Sequence, residues 1–339
     1  MDEFILGIFE KSSVLKGSTL YQLLTGRRTS SVLVYGCLND LLPFWGLFPR
    51  LSEEAYQGIL KQLEATGSLE QDSTGFYHKI ADESSLSLEK AAVLDALDNF
   101  RFNKSGEQGW RLIRFAIQTV SEYRRSKNFV PLETAPKYTE PVRQLIRSQG
   151  VAARATFYDE LSCFFLELPE RIADELAQSL TGYQMVGKAD YQLLPQSLLE
   201  KPWQELAIKA RQQLFIKTVA AHPETISCKL YQQVAFSDAN QSALISRRLF
   251  QAGASMEDVM AQRHLKAGTI NDHLIEWALS DSEFPYSRFF DSHTLNILQQ
   301  LSGEPVAWRY RDIAQKEAID YRTFALYQIA AKQEVSLCS

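Results

Sequence analysis

The sequence contains few residues that interrupt helices. Its 339 residues include 16 glycines and 11 prolines, together about 8% against a usual value near ~12%. A sandwich or barrel of many short strands needs frequent turns, so this composition disfavours both and predicts a mainly helical protein. At about 150 residues per domain, the length predicts two or three domains that can each bury a core.

The sequence also lacks paired cysteines and long apolar runs. Its four cysteines lie far apart without a C-x-x-C pair, which disfavours a zinc ribbon or a disulfide framework and predicts reduced thiols. The first residues are acidic, unlike a signal peptide. No apolar run approaches the ~20 residues that cross a bilayer. We therefore expect a cytoplasmic protein without a membrane partner.

Positive charge is scarce overall but is concentrated in one segment. The 36 lysines and arginines stand against 41 aspartates and glutamates, a net charge of −5, which excludes a uniformly basic nucleic-acid-binding protein. Residues 101–154 nevertheless hold eleven cations and four anions, a net of +7 that leaves −12 for the rest. This asymmetry predicts a local anionic partner such as DNA, although solvated helix faces are the alternative. The candidate DNA-binding residues here are Arg124, Arg125, Lys127, Arg143 and Arg147.

Residues 1–85 have the element order of a winged helix. Periodicity predicts a short helix over 18–24, a second that begins near Thr29 or Ser30 and ends before Pro43, and a third capped by Ser52. Gly67 is expected to end the third helix. Alternation over 68–71 and 76–80, with a turn between, then predicts one small β-hairpin.

Residues 86–235 are predicted to be helical nearly throughout. Helical periodicity extends over 86–100, 107–125, 139–148, 161–180 and 203–221, and Pro223 begins a further helix. This helical middle region includes the basic segment 101–154.

Residues 236–335 are predicted to form a helix-turn-helix domain. One helix covers 240–251, a short helix capped by Ser255 covers 256–262, and a tight turn leads to a helix over 267–279. The last of these helices places Ile270, Leu274 and Trp277 on one apolar face. Two more helices are expected over 306–316 and 321–331.

Three motifs resemble a known family. The sequence LFQAGASMEDV at 249–259, followed by Arg263, Leu265, Thr269, Ile270, His273 and Leu274, is similar to the helix-turn-helix module at the C-terminal end of some RecQ-type helicases. The sequences LTGRRT at 24–29 and WGLFPRLS at 45–52 resemble the opening motifs of the bacterial YpbB-like proteins, which carry the same module. Their genes typically neighbour one for a RecQ-type helicase. The resemblance implies an accessory protein that acts with a DNA helicase.

The resemblance places the DNA contact at the start of the second helix of the motif. Lys266, Thr269 and Asn271 are the candidates there, while Asp272 and Glu276 on the same helix repel phosphates. Because 238–279 carries a net charge of −1, docking of a protein is the alternative role. Further DNA-binding candidates lie before the second N-terminal helix and among C-terminal aromatic residues: Arg27, Arg28, Arg309 and Arg311.

Signals for an enzyme are weak. Gly182, Gly187 and Lys188 have the spacing of a phosphate-binding loop, but Ala189 stands where Ser or Thr is needed for magnesium, and a helix is predicted before them. The five histidines form no metal-binding pair, and no nucleophile motif occurs. We expect a non-enzyme without cofactor, metal or small-molecule substrate.

Two functions remain open from the sequence. The first is a non-catalytic accessory factor of a RecQ-type DNA helicase in replication, recombination or repair, which docks the helicase and adds DNA contacts. The alternative is a helix-turn-helix transcriptional regulator that binds duplex DNA, usually as a symmetric dimer. In the first case the protein is expected at the nucleoid when it is bound to helicase or DNA.

Overall fold

The computed structural model describes residues 1–80, 86–125, 128–238, 240–315, 317–335 and 337. These residues are mainly helical with one small sheet, which confirms the predicted fold class. In chain order the helices are α1 (Asp2–Ile8), α2 (Gly17–Leu24), α3 (Ser30–Leu38), α4 (Glu53–Ala65), α5 (Leu88–Ala96), α6 (Asn99–Glu122), α7 (Pro136–Gln149), α8 (Ala153–Glu167), α9 (Glu170–Gln178), α10 (Asp190–Leu193), α11 (Trp203–Ala220), α12 (Ile226–Gln232), α13 (Gln241–Gln251), α14 (Met256–Arg263), α15 (Ala267–Ser280), α16 (Ser292–Leu298), α17 (Tyr310–Ala314) and α18 (Tyr321–Lys332). The strands are β1 (Val14–Lys16), β2 (Leu69–Gln71) and β3 (Phe76–Lys79), and 3-10 turns lie at Leu42–Phe44, Gly150–Ala152, Gln196–Leu198, Ala235–Asp238, Tyr286–Phe289 and Pro305–Ala307.

The chain forms two compact units. The mid-chain unit comprises Glu3–Gly7 and Glu83–Asp238, and the end-segment unit comprises Ile8–Asp82 and Ala239–Ser339. The N-terminal and C-terminal predicted segments, residues 1–85 and 236–335, therefore contribute most of their residues to the same compact unit. The domain boundaries at residues 85 and 235 remain predictions.

The end-segment unit contains a three-stranded sheet. β3 lies between β1 and β2 and is antiparallel to both, with Leu15 opposite Tyr77 and Leu69 opposite Lys79. The hairpin of β2 and β3 was predicted, but β1 was not, because three residues are too few to show alternation. Leu15, Leu69 and Tyr77 are the buried positions, whereas Ile80, which shares the alternation of Phe76 and His78, is exposed.

Local signals predict the start and end of α4 correctly, whereas α3 stops at Leu38 and not just before Pro43, because the chain leaves the helix at Asn39 and Asp40, which has a left-handed φ of 57°. Ser52 Oγ accepts a hydrogen bond from Ala55 N at 3.2 Å and caps α4, and Gly67 follows its end with a φ of 71°. Such a left-handed conformation costs glycine nothing, since it has no Cβ.

Two predicted helices of the mid-chain unit are each divided in the structure. The helix predicted over 161–180 is α8 and α9, because Pro169 lacks an amide hydrogen and restricts the residue before it. The helix predicted over 86–100 stops at Ala96, and α6 begins after Asp98, whose side chain accepts from Arg101 N at 3.4 Å.

The core of the mid-chain unit lies where α6 and α11 pack along each other. Trp110 and Phe215 make an edge-to-face contact with ring centroids 4.9 Å apart, and Phe164 adds a second at 6.1 Å from Phe215. α7, α8 and α12 cover this core, so α6 is buried along most of one side.

The core of the end-segment unit joins parts of the chain that are more than 200 residues apart. α3 packs against α15 and α18, and α15 also packs against α13 and α14. Val32, Leu33, Ile275, Leu326 and Ile329 are all buried on these helices. The helix-turn-helix segment is thus built into the same core as the N-terminal helices.

Candidate nucleic-acid interface

The helix-turn-helix consists of α13, α14 and α15. Asn240 caps α13, and Ser255 and Asp258 form a reciprocal capping box at the start of α14, each side chain accepting from the other residue's amide at 3.1 Å. His264 has a left-handed φ of 51° and closes the turn before α15. The first and last residues of α13, α14 and α15 lie within one residue of the predicted positions.

Most of the exposed residues of α15 lie at its N-terminal end. Residues 266–269 are exposed, whereas Ile270 and every residue from 273 to 279 are buried. A DNA-reading helix of this motif lies in the major groove and contacts bases with its N-terminal residues. Here the first turn meets that requirement, whereas residues 273–279 belong to the core.

Asp272 holds the N-terminus of α3. Its Oδ1 accepts hydrogen bonds from Ser30 N at 2.6 Å and from Ser30 Oγ at 2.5 Å. Thr29, the residue before α3, makes no capping bond with its own side chain. The carboxylate of α15 therefore supplies the negative charge that a helix N-terminus favours, and it occupies the position where the sequence predicts a phosphate.

Glu276 lies one turn further along α15 and forms an ion pair with Arg28. Burial raises the pKa of Glu276, while Arg28 and the side chain of Asn240 oppose that shift. The Arg28 guanidinium also lies over the Trp45 ring, 4.4 Å from its centroid. The two acidic residues of α15 are thus partners of the N-terminal segment.

The segments 24–29 and 45–52 lie side by side and are joined by hydrogen bonds. Gly46 N donates to Leu23 O at 2.8 Å, and Trp45 Nε1 donates to Arg27 O at 3.1 Å. Gly26 has a φ of 86°, and a Cβ there would lie 3.3 Å from the Gly46 Cα. This close approach of two backbones requires glycine and orients Arg28 and Ser30 toward α15.

Two of the four cations of the helix-turn-helix, Arg247 and Arg263, bind within the protein. Arg263 donates to Ser242 O at 2.7 Å and to Ser246 Oγ at 2.8 Å, and Arg247 pairs with Asp281 at 2.6 Å. Ser246 Oγ in turn lies 2.9 Å from His273 Nδ1. Burial and the nearby charge of Arg263 lower the pKa of His273, while Asp272 acts in the opposite direction.

Comparison with known proteins agrees with this geometry. Residues 242–328 match the family model of a helix-turn-helix domain. The chain is also 19% identical over 277 residues to Protein YpbB of Bacillus subtilis (strain 168), covering 79% of this chain and 78% of that protein. No solved structure matches. The protein therefore has a C-terminal helix-turn-helix domain, which suggests DNA binding, and a distant homologue in YpbB.

The predicted contacts in the C-terminal part differ in accessibility. Lys266, Thr269, Arg309 and Arg311 are exposed, and their DNA contact stays a prediction. Asn271 is half-buried, and its side-chain oxygen is buried without a hydrogen-bond partner among the described residues; its DNA contact also stays a prediction.

The aromatic residues between the C-terminal arginines belong to a small core. Trp308 stacks on Tyr327 at 5.6 Å, and Tyr310 contacts Tyr321 at 5.4 Å. The indole of Trp308 donates to Ser302 O at 2.9 Å. These rings pack against one another, as aromatic residues usually do, and do not form a row of exposed surfaces for bases.

The N-terminal candidates also differ from each other. Arg27 is exposed, whereas Arg28 is engaged with Glu276 and Trp45. Their proposed phosphate contact stays a prediction, but the amide at Ser30 already has Asp272 as its acceptor partner.

The cations of the basic segment 101–154 include three groups: those paired with a carboxylate, one bound to a backbone carbonyl, and exposed cations without a carboxylate partner among the described residues. Arg111 pairs with Glu133 at 2.7 Å, and Arg143 pairs with Glu140. Arg154 donates to Tyr123 O at 3.0 Å and so binds the carbonyl end of α6. The exposed cations without a carboxylate partner among the described residues include Arg124, Arg125 and Arg147; the predicted Lys127 lies outside the described residues.

The segment with phosphate-loop spacing is a tight turn. Gly182 and Met185 exchange two backbone hydrogen bonds of 2.9 and 3.0 Å, and a Cβ on Gly187 would lie 2.1 Å from Ser179 O. Lys188 Nζ donates to Gln178 Oε1 at 2.7 Å. The turn follows α9 and not a strand, so the context of a nucleotide-binding loop is absent from these described residues.

Two aromatic residues beside the basic segment were missed from the sequence. Arg125 lies over the Tyr183 ring at 5.6 Å from its centroid, and Arg124 lies over Tyr123 at 5.4 Å. Tyr123 adjoins the arginines in sequence, which is the one local signal for this contact; Tyr183 is 58 positions from Arg125, and no local pattern links it to the arginines.

The described residues hold no cluster of three or more potential metal ligands. In the same part of the chain, no helix is long and apolar enough to cross a membrane.

Proposed function

We propose that this protein is a non-catalytic accessory factor of a RecQ-type DNA helicase that docks the helicase and contributes DNA contacts in replication, recombination or repair. The observation that carries the proposal is the position of α15 inside the end-segment unit. Ser30, Arg28 and Trp45 fix it there through Asp272 and Glu276, and residues 273–279 are buried, whereas residues 267–269 of its first turn are exposed.

This arrangement favours docking over sequence reading. A regulator needs a helix face that enters the major groove over several base contacts, and residues 273–279 are buried. Two of the cations in the helix-turn-helix, Arg247 and Arg263, have partners within the fold. Few charges are then left to release counterions from duplex DNA.

The helicase partner is supported by the resemblance to YpbB-like proteins and by the way its motifs come together. The segments 24–29, 45–52 and 249–274, which carry that resemblance, lie in one compact unit. Because the three segments belong to one compact unit, a partner protein can contact them as parts of a single surface.

Co-purification tests the proposal directly. The full chain, tagged and expressed with the RecQ-type helicase of the same genome, is expected to yield a stoichiometric complex that survives nuclease treatment. Unwinding assays with and without the protein then measure its effect on the helicase. Failure to associate, together with protection of specific promoter sequences, would instead support the transcriptional regulator.

A further inference from the structure

One end of the mid-chain unit combines exposed cations with exposed aromatic surface. Tyr123, Arg124 and Arg125 directly follow the C-terminal end of α6, and the turn after α9 brings Tyr183 beside them. We call these four residues the Arg–Tyr patch. Tyr183 is 38% exposed, and both arginines are exposed.

The fold holds the patch in place from three directions. Tyr183 N donates to Ser121 Oγ at 3.0 Å, and a Cβ on Gly182 would lie 2.6 Å from that oxygen and displace the hydroxyl. Arg154, at the start of α8, binds the Tyr123 carbonyl. A Cβ on Gly150, just after α7, would lie 4.0 Å from the Tyr123 ring. The rings are therefore positioned by the backbone before any ligand arrives.

The charges of the patch are available for a ligand. Arg111 and Arg143 of the same basic segment have carboxylate partners, whereas the guanidinium groups of Arg124 and Arg125 contact rings and have no such partner among the described residues. Glu122, the adjacent carboxylate in sequence, is buried. A cation that stacks on a ring keeps its hydrogen-bond donors free for a phosphate.

We propose that the Arg–Tyr patch binds single-stranded nucleic acid, with phosphates on Arg124 and Arg125 and a base stacked against Tyr183. Stacked aromatic and guanidinium planes suit unpaired bases, whose faces are open. In a duplex those faces are covered by neighbouring base pairs, so the rings have nothing to stack on. The inference rests on the proposed role beside a helicase, whose product is single strands.

The test is fluorescence anisotropy of the full chain with labelled 20-mers of dT and of U, and with a duplex of equal length. Tyr183→Ala is expected to weaken binding to single strands about tenfold, within the range for loss of one stacked base. Tyr183→Phe keeps the ring and should stay within about twofold. The double change Arg124→Gln and Arg125→Gln should lower the salt slope by about 1.4, since each lost phosphate contact contributes ~0.7 on single strands.

Arg101→Gln is the matched control. It removes one positive charge, as each of the two patch changes does, from an exposed position on α6 that lies about 30 Å from the patch along the helix, so affinity and salt slope should not change. Binding to either single strand that depends on Tyr183 and the two arginines supports the proposal and identifies the strand used. No binding of either strand, tighter binding of duplex, or an equal loss in the Arg101 variant overturns it.

Helicase co-purification separates this inference from the proposed function. Patch variants that lose single-strand affinity but still co-purify support both. Patch variants that bind single strands as the wild type does overturn the patch alone, and absence of a helicase complex with an intact patch phenotype overturns the docking proposal alone.

Discussion

Replacing Asp272 should loosen the contact between α15 and α3. The carboxylate accepts two short hydrogen bonds from Ser30, one of them from an amide at the start of α3. Hydrogen bonds to a charged group contribute about 1.5–3 kcal/mol each, and a lost helix cap costs about 0.5–2 kcal/mol. These contributions overlap, and Ser30 is buried, so we expect Asp272→Ala to lower the free energy of unfolding of the end-segment unit by about 3 kcal/mol. Asp272→Asn keeps an acceptor oxygen without the charge and should cost about 1 kcal/mol.

Hydrogen exchange measures this effect locally. If exchange follows the opening equilibrium, the loss of about 3 kcal/mol speeds exchange of the α3 amides roughly 100-fold, since ~1.4 kcal/mol is tenfold. Asp312→Ala removes an exposed carboxylate on α17 and should change stability by less than about 0.5 kcal/mol. The reasoning is refuted if α3 of the Asp272→Ala protein exchanges at the wild-type rate.

Two further predictions concern one residue in each unit, His273 in the end-segment unit and Gly187 in the mid-chain unit. Because burial and Arg263 lower the pKa of His273, the unfolded chain binds its proton more readily, and the stability of the end-segment unit should fall as pH drops below about 6.5. His273→Gln should flatten this part of the dependence of melting temperature on pH, whereas His293→Gln, at an exposed position, should leave it steep. Gly187→Ala places a Cβ 2.1 Å from Ser179 O and should cost about 1–3 kcal/mol in a thermal melt of the mid-chain unit. Gly268→Ala, with open space around its Cβ, should be neutral or stabilising; equal melting of the two glycine variants would contradict the packing argument.

Local signals in the sequence were sufficient to predict several helix starts. Ser52, Asn240 and Ser255 each cap the helix that follows them, because capping needs only residues within one turn of each other. The same logic explains the failures: Pro169 breaks a pattern whose apolar periodicity continues through it, and β1 is too short for any period to appear.

Long-range partners were beyond reach of the sequence. Asp272 and Glu276 were interpreted as charges that repel DNA, but they bind Ser30 and Arg28 from the other end of the chain. Net charge by segment also includes cations that have partners within the fold, since Arg111 and Arg143 form ion pairs with carboxylates. Counting charges treats every cation as available, and only contacts reveal which of them are.

The shared core of the two chain ends also fixes an order of events during synthesis. The N-terminus of α3 leaves the ribosome long before Asp272 exists to bind it, roughly 200 residues earlier, or about 10–40 s at ~5–20 residues per second. During that interval the mid-chain segment can complete its own contacts, while Val32 and Leu33 still lack the contacts that α15 and α18 provide. Premature termination before α15 would therefore leave an unfinished apolar face on α3, and nascent chains of this protein should depend on chaperones at that stage.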